Sequence, residues 1–154
     1  MTATAQQADA IDYVIRPARM VDSDHGESEL RWVQSVWSRC AKLEPRKPYA
    51  MVAVGAPNTS VWIDAKLVYR MHHRIVDELL PKSAVLVAAL RRMPDAAIGF
   101  AVFEGPMLHY VYVAPDSRRA GIGRQLALHT RCSTASHVTQ DGARLLRCLS
   151  GYAS

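Results

Sequence analysis

The run Leu108-His109-Tyr110-Val111-Tyr112-Val113-Ala114-Pro115-Asp116-Ser117-Arg118-Arg119-Ala120-Gly121-Ile122-Gly123-Arg124-Gln125-Leu126 decides how this chain is read. Its first part is strand-like and stops at Pro115, which has no N–H for a sheet ladder. A short basic loop then leads through Gly121-Ile122-Gly123 into helical spacing that extends to about Cys132, with Leu126 and Leu128 as the expected buried positions. The first N–H groups of a helix have no intrahelical partner, and the helix dipole adds positive potential beside them. Glycine at 121 and 123 lets an anion such as a phosphate come close to that backbone. Arg118, Arg119 and Arg124 add charge at the same place. Taken alone, a Gly-x-Gly turn is equally compatible with an ordinary strand-to-helix connection.

Working outward, three apolar runs precede the turn: Ala84–Leu90, Ala97–Glu104 and Met107–Val113. Pro94 and Asp95 within Arg91–Ala96, and then Gly105-Pro106, separate them as turn signals, which implies an antiparallel meander. Further upstream, Ile63, Leu67, Met71, Ile75 and Leu79 form an apolar stripe on a helix expected from Val61 to Leu80 and closed by Pro81. Another helix is expected from Ser28 to near Leu43, with Leu30, Val33, Trp37 and Cys40 at helical spacing. Residues 44–60, with Pro45, Pro48, Gly55 and Pro57, read as an irregular connection with room for a brief extended piece in Tyr49–Val54. A first strand occupies Tyr13–Arg19 and is interrupted by Pro17, and residues 1–10 are expected to be disordered. In the tail, Ala143–Leu149 is a candidate strand. With no repeat and no low-complexity linker, residues 11–154 read as a single domain.

Bulk properties narrow the function classes. At 154 residues, 49% apolar and 21% charged, the composition is that of one globular domain that needs no disulfide or metal to hold it. The apolar windows are too short to span a bilayer, and the N-terminus has no signal-peptide pattern. Cys40, Cys132 and Cys148 are scattered and odd in number, which suits free thiols in the cytoplasm. The net charge of +5 suits an anionic partner, with a solvated basic surface as the plain reading of the charge away from the glycine turn. The tightest basic cluster surrounds the glycine turn, so a phosphate-bearing cofactor is favoured over nucleic acid or a membrane surface. Adjacent His72 and His73 diverge on a helix, and His25, His129 and His137 have no ligand spacing, so no metal site is expected.

From Val113 to Leu126 the chain reads V-x-P-x-x-R-R-x-G-I-G-x-x-L. This string resembles the acetyl-CoA signature of the GNAT N-acetyltransferase superfamily, R/Q-x-x-G-x-G/A, with Arg118, Gly121 and Gly123 in register. The order of elements is similar too, from Ile15-Arg16-Pro17-Ala18 through two helices and the meander, so the resemblance covers about residues 13–133. A dinucleotide-binding turn would need G-x-G-x-x-G in a βαβ unit, and a Walker A loop would need G-K-[ST]. The fold implied by the resemblance is α/β (α+β), a mixed, mostly antiparallel central sheet flanked by helices. It would lack the family's usual C-terminal helix and strands, as small phage-encoded acetyltransferase-like proteins do.

The resemblance implies acetyl-CoA (coenzyme A) as cofactor and N-acyl transfer by direct attack of an amine. Val111 and Val113 would pair with the pantetheine arm through their main chain. Arg118, Arg119, Ala120, Gly121, Ile122 and Gly123 would hold the pyrophosphate, with Arg124 nearby. An imidazole titrates close to neutral pH, so His109 is a candidate base, and a histidine bonded on a sheet face is the alternative. Glu104 is a second candidate base. Tyr152, the only tyrosine after the signature, is the candidate acid for the departing thiolate. Tyr110 and Tyr112 read as core or acceptor-pocket aromatics. The acceptor is a small-molecule or protein amine; Arg46 and Lys47, in the region 43–61 that would wall the acceptor site, suit an acidic acceptor or are simply solvated. An unpaired sheet edge would be covered by a homodimer or by a folded-back tail. The competing function is a catalytically silent module that binds CoA or a protein partner.

Overall fold

In chain order the elements are β1 (Tyr13–Pro17), α1 (Glu29–Arg39), β2 (Met51–Val54), β3 (Val61–Asp64), α2 (Ala65–Leu79), β4 (Ala84–Leu90), β5 (Met93–Glu104), β6 (Met107–Val113), α3 (Ile122–Thr130) and β7 (Thr134–Ala135). The computed structural model describes residues 10–19, 29–39, 51–54, 61–136 and 145. The chain divides into two units, Met1–Ala18 with Ala84–Ser154, and Arg19–Ser83.

The first unit is built on the expected meander. Its sheet has the order β1-β4-β5-β6-β7; β1, β4, β5 and β6 pair antiparallel, and β7 adds to β6 in parallel. The fold class is therefore the expected mixed, mostly antiparallel sheet. Two details differ from expectation. The turn after β4 is only Arg91-Arg92, and β5 resumes at Met93. Leu90 faces Met93 while Ala89 faces Ala97, so residues 94–96 bulge out of the ladder. A proline that cannot donate to a neighbour fits such a bulge. The second difference is β7, a two-residue strand not anticipated in the tail.

α3 lies against β5 and β6. Ala88, Ile98, Ala101, Leu108, Ile122, Leu126 and Ala127 are buried together there. Leu126 is fully buried as expected, but Leu128 is 38% exposed. Residues two apart on a helix point about 200° apart, so one face cannot bury both. The approach of helix to sheet is close at Gly99, where a Cβ would stand 2.7 Å from the Tyr112 carbonyl oxygen and 3.2 Å from Leu126 Cδ1. Leu145 is the only described residue of the expected strand Ala143–Leu149; it is helical and packs on this core.

The second unit joins α1 to α2 and pairs β2 with β3 antiparallel. The brief extended piece expected before Gly55 is β2. The helix expected from Val61 begins instead at Ala65, because Val61-Trp62-Ile63-Asp64 pairs residue for residue with β2. Asp64 then caps the helix by accepting from the Lys66 N–H at 2.9 Å. The expected apolar stripe on this helix is also corrected. Leu67, Met71 and Ile75 are 47–49% exposed, whereas Val76 is fully buried. Steps of four residues drift by about 40° each, so the stripe winds off any single face. Among the described residues of α2, Val76 is the fully buried one and His72, His73 and Leu79 are half-buried, with His72 Nε2 2.9 Å from the Trp37 carbonyl oxygen. Gln34 Nε2 donates to Asp77 Oδ1 at 2.7 Å and ties the two helices a second time.

Candidate functional site

The site is assembled where β6 runs out. The Ala114 N–H donates to the Ile98 carbonyl at 2.8 Å, and this pair continues the register in which Gly99 faces Val113 and Ala101 faces Val111. Antiparallel ladders alternate bonded and non-bonded pairs. Tyr112 therefore directs its backbone groups at β5, while Val111 and Val113 direct theirs at the opposite edge. On that edge β7 faces only Met107 and Leu108. Among the described residues, no strand pairs with the edge from Val111 to Val113. The two valine side chains turn under α3, where a Cβ on Gly123 would lie 3.4 Å from Val113 Cγ2 and 3.8 Å from Val111 Cγ1. Both are ordinary van der Waals separations, so the packing of α3 on β6 does not by itself require glycine at 123.

Past Val113, Pro115–Ser117 forms a 3-10 turn in which the Ser117 N–H bonds to the Ala114 carbonyl at 2.9 Å. Arg119 has φ 64°, and Gly121, with φ 77°, is the N-cap of α3. Left-handed backbone at that cap is the reason a glycine stands there. A Cβ at Gly121 would meet nothing within 4 Å, so the turn is open on that side. The helix ladder starts with the Gln125 N–H on the Gly121 carbonyl at 3.0 Å. The N–H groups of Ile122, Gly123 and Arg124 therefore precede the ladder and have no intrahelical acceptor. The N-cap glycine offers no side chain to this end, and the first turn of α3 holds no acidic residue. Arg118, Arg119 and Ala120 are exposed and Arg124 is half-buried. The arrangement can accept an anion at the helix start and an amide-bearing chain along the β6 edge.

The Arg118 side chain is placed in a way the sequence did not suggest. Its Nε–H donates to the Val113 carbonyl at 2.9 Å, and its Cζ stands 6.0 Å from the centroid of the Tyr112 ring. Tyr112 stacks on Phe100 at 5.4 Å between centroids, and Tyr110 flanks the same ring at 5.8 Å.

The two candidate bases come together. Val102 faces Tyr110 but Phe103 faces Leu108, so His109 is the extra residue of a β-bulge. Its side chain is 4% exposed, and its Nε2 stands 3.7 Å from Oε2 of Glu104, which is 51% exposed. That separation is an ion-pair distance if the ring is protonated, and is too long for a hydrogen bond. A hairpin turn with Gly105 at φ 54° brings the two strands to this point. The sequence signal for the pairing was present in that two-residue turn, but the bulge that sets it left no trace in the apolar alternation.

Tyr152, Arg46, Lys47, His25, His137, Cys40, Cys148 and residues 1–9 lie outside the described residues. His129 bonds through Nδ1 to the Gln125 carbonyl at 2.7 Å, on its own helix. Cys132 is a free thiol. Among the described residues no group of His, Cys, Asp and Glu is placed to hold a metal, and no helix is long and apolar enough to cross a membrane.

No family model matches the sequence, and no curated protein matches it. Among solved structures, the chain is similar to the apo form of YjaB from Escherichia coli, at 19% identity over 92% of this chain and 78% of that one, with a TM-score of 0.48. It is similar to a ribosomal-protein-alanine N-acetyltransferase from Brucella melitensis biovar Abortus 2308, at 21% identity over 55% of this chain and 77% of that one, with a TM-score of 0.37. It is also similar to a variant of the spermidine N-acetyltransferase SpeG from Vibrio cholerae, at 10% identity over 91% of this chain and 77% of that one, with a TM-score of 0.41.

Proposed function

We propose that this chain is an acyl-CoA-dependent N-acyltransferase that takes acetyl-CoA as donor and an amine, on a small molecule or a protein, as acceptor. One observation carries the reading: an uncapped helix start behind a left-handed glycine lies beside a strand edge whose Val111 and Val113 backbone groups face outward. A pyrophosphate suits the first and the two amides of a pantetheine arm suit the second. Arg119 and Arg124 supply charge at the same end.

The chemistry follows from what the acceptor must lose. The amine lone pair attacks the thioester carbonyl carbon, the nitrogen gives up a proton, the C–S bond breaks, and the thiolate leaves and is protonated. His109 with Glu104 at its ring is the proton acceptor in this reading, and Tyr152 the candidate donor to the thiolate. A homodimer covering the outer edge of β7 belongs to the same reading, and a monomer by gel filtration with light scattering would remove that part.

The experiment is a calorimetric titration of acetyl-CoA into the folded, CoA-free protein and into Gly121→Asp, whose carboxylate would stand where the pyrophosphate binds. Micromolar binding that the variant loses supports the reading. No binding by the wild-type protein sinks it. Binding without turnover on a panel of amines leaves a CoA-binding module.

A further inference from the structure

Arg118 is the one loop arginine whose side chain reaches back to the strand. Its Nε–H meets the Val113 carbonyl at 2.9 Å, and its guanidinium carbon stands 6.0 Å from the Tyr112 ring centroid. The backbone tie at the same residue is weak, since the Arg118 N–H reaches the Pro115 carbonyl at 3.3 Å. Arg119 follows in left-handed backbone, which a non-glycine residue adopts only when its surroundings hold it there.

We propose that Arg118 is a positioning residue that clamps the glycine loop to the end of β6 through its Nε–H, with its charge as a secondary feature. The Val113 carbonyl lies on the edge that faces away from β5, so the clamp closes that edge at its end. Among the described residues it leaves the Val111 N–H and carbonyl and the Val113 N–H as the open backbone groups of that edge. A ligand on this edge is thereby held to one register: it offers an acceptor to each of the two N–H groups and a donor to the Val111 carbonyl. The same clamp fixes where the loop begins, and hence where the first N–H groups of α3 point. The ligand side of this inference rests on the coenzyme A reading; the clamp itself does not.

Two substitutions separate donor from charge. Gln places its Nε2–H at the same distance along the side chain as Arg Nε and carries no charge, whereas Met has similar length and no donor. CoA is titrated into the wild-type protein, Arg118→Gln and Arg118→Met over a series of salt concentrations. The clamp predicts that Gln stays within about threefold of the wild-type affinity with the same salt slope, while Met loses about tenfold, the scale of one such hydrogen bond. Equal losses in both variants with a shallower salt slope would make Arg118 a charge ligand and overturn the proposal. Wild-type affinity in Arg118→Met would overturn it as well.

Amide exchange in the absence of ligand is the second readout, taken at Ser117 and Gln125, whose N–H groups bond to Ala114 and Gly121. Protection should fall by about tenfold in Arg118→Met and hold in Arg118→Gln. Unchanged protection in Arg118→Met overturns the clamp. If the wild-type protein binds no CoA, the cofactor reading fails and the exchange data still decide the clamp.

Discussion

His109 Nε2 stands 3.7 Å from Glu104 Oε2, a buried ring facing a half-exposed carboxylate across a hairpin. The carboxylate can hold a proton-bearing ring and connect it to solvent, a role neither residue could fill alone. In the acyl-transfer reading, His109→Gln lowers kcat by about a hundredfold or more and Glu104→Gln by about tenfold, with CoA affinity unchanged in both. Steady-state rates beside calorimetry check this. Full kcat in His109→Gln would assign the ring to the sheet alone.

The two signature glycines should respond differently to alanine. At Gly121 the φ of 77° strains any side chain, at a cost of about 1–2 kcal/mol. At Gly123 a Cβ would make ordinary contact with Val113 Cγ2 at 3.4 Å, so alanine is accommodated; its helix propensity offsets the contact and leaves stability within about 1 kcal/mol. Urea unfolding midpoints of the two variants should differ in that order. Equal loss in both would contradict the local geometry.

Gly99 is held by a different constraint. A Cβ there would stand 2.7 Å from backbone oxygen of Tyr112, which cannot rotate away. Gly99→Ala should destabilise by about 1–3 kcal/mol, as overpacked sites do. An unchanged melting temperature would show that Gly99 on β5 and the Tyr112 carbonyl on β6 are less closely apposed than described.

On α2, stability should follow exposure and not apolarity. Met71→Glu changes an exposed side chain and should stay within about 0.5 kcal/mol. Val76→Ala empties a fully buried position and should cost about 2 kcal/mol. The reverse order in denaturant would restore the stripe of Leu67, Met71 and Ile75 as the packed face.

What the sequence made legible was local chemistry. Pro115 stops β6, Gly105 turns the hairpin, and Gly121 takes the left-handed cap; each acts through its own backbone, so no distant partner is needed to read it. At Val61–Asp64 the sequence pattern overreaches, because strand pairing with Met51–Val54 depends on residues outside any helical window, while Ile63 extends a four-residue apolar spacing. Leu128 differs in kind, since its angle from Leu126 by itself rules out a shared face. The bulge at His109 and the return of Arg118 onto Val113 are tertiary placements. An extra residue in one strand and the rotamer of a long side chain leave nothing in the periodicity to find.

The Ala18 N–H bonds to the Val85 carbonyl at 2.9 Å, so the chain leaves the sheet unit and re-enters it at neighbouring points. Everything from Arg19 to Ser83 is in that sense an insertion between two adjacent antiparallel strands. Such a junction is a natural splice point: a short glycine-bearing turn can join β1 to β4 as a plain hairpin. The sheet unit, with the glycine loop and the His109–Glu104 pair, would then be one uninterrupted polypeptide.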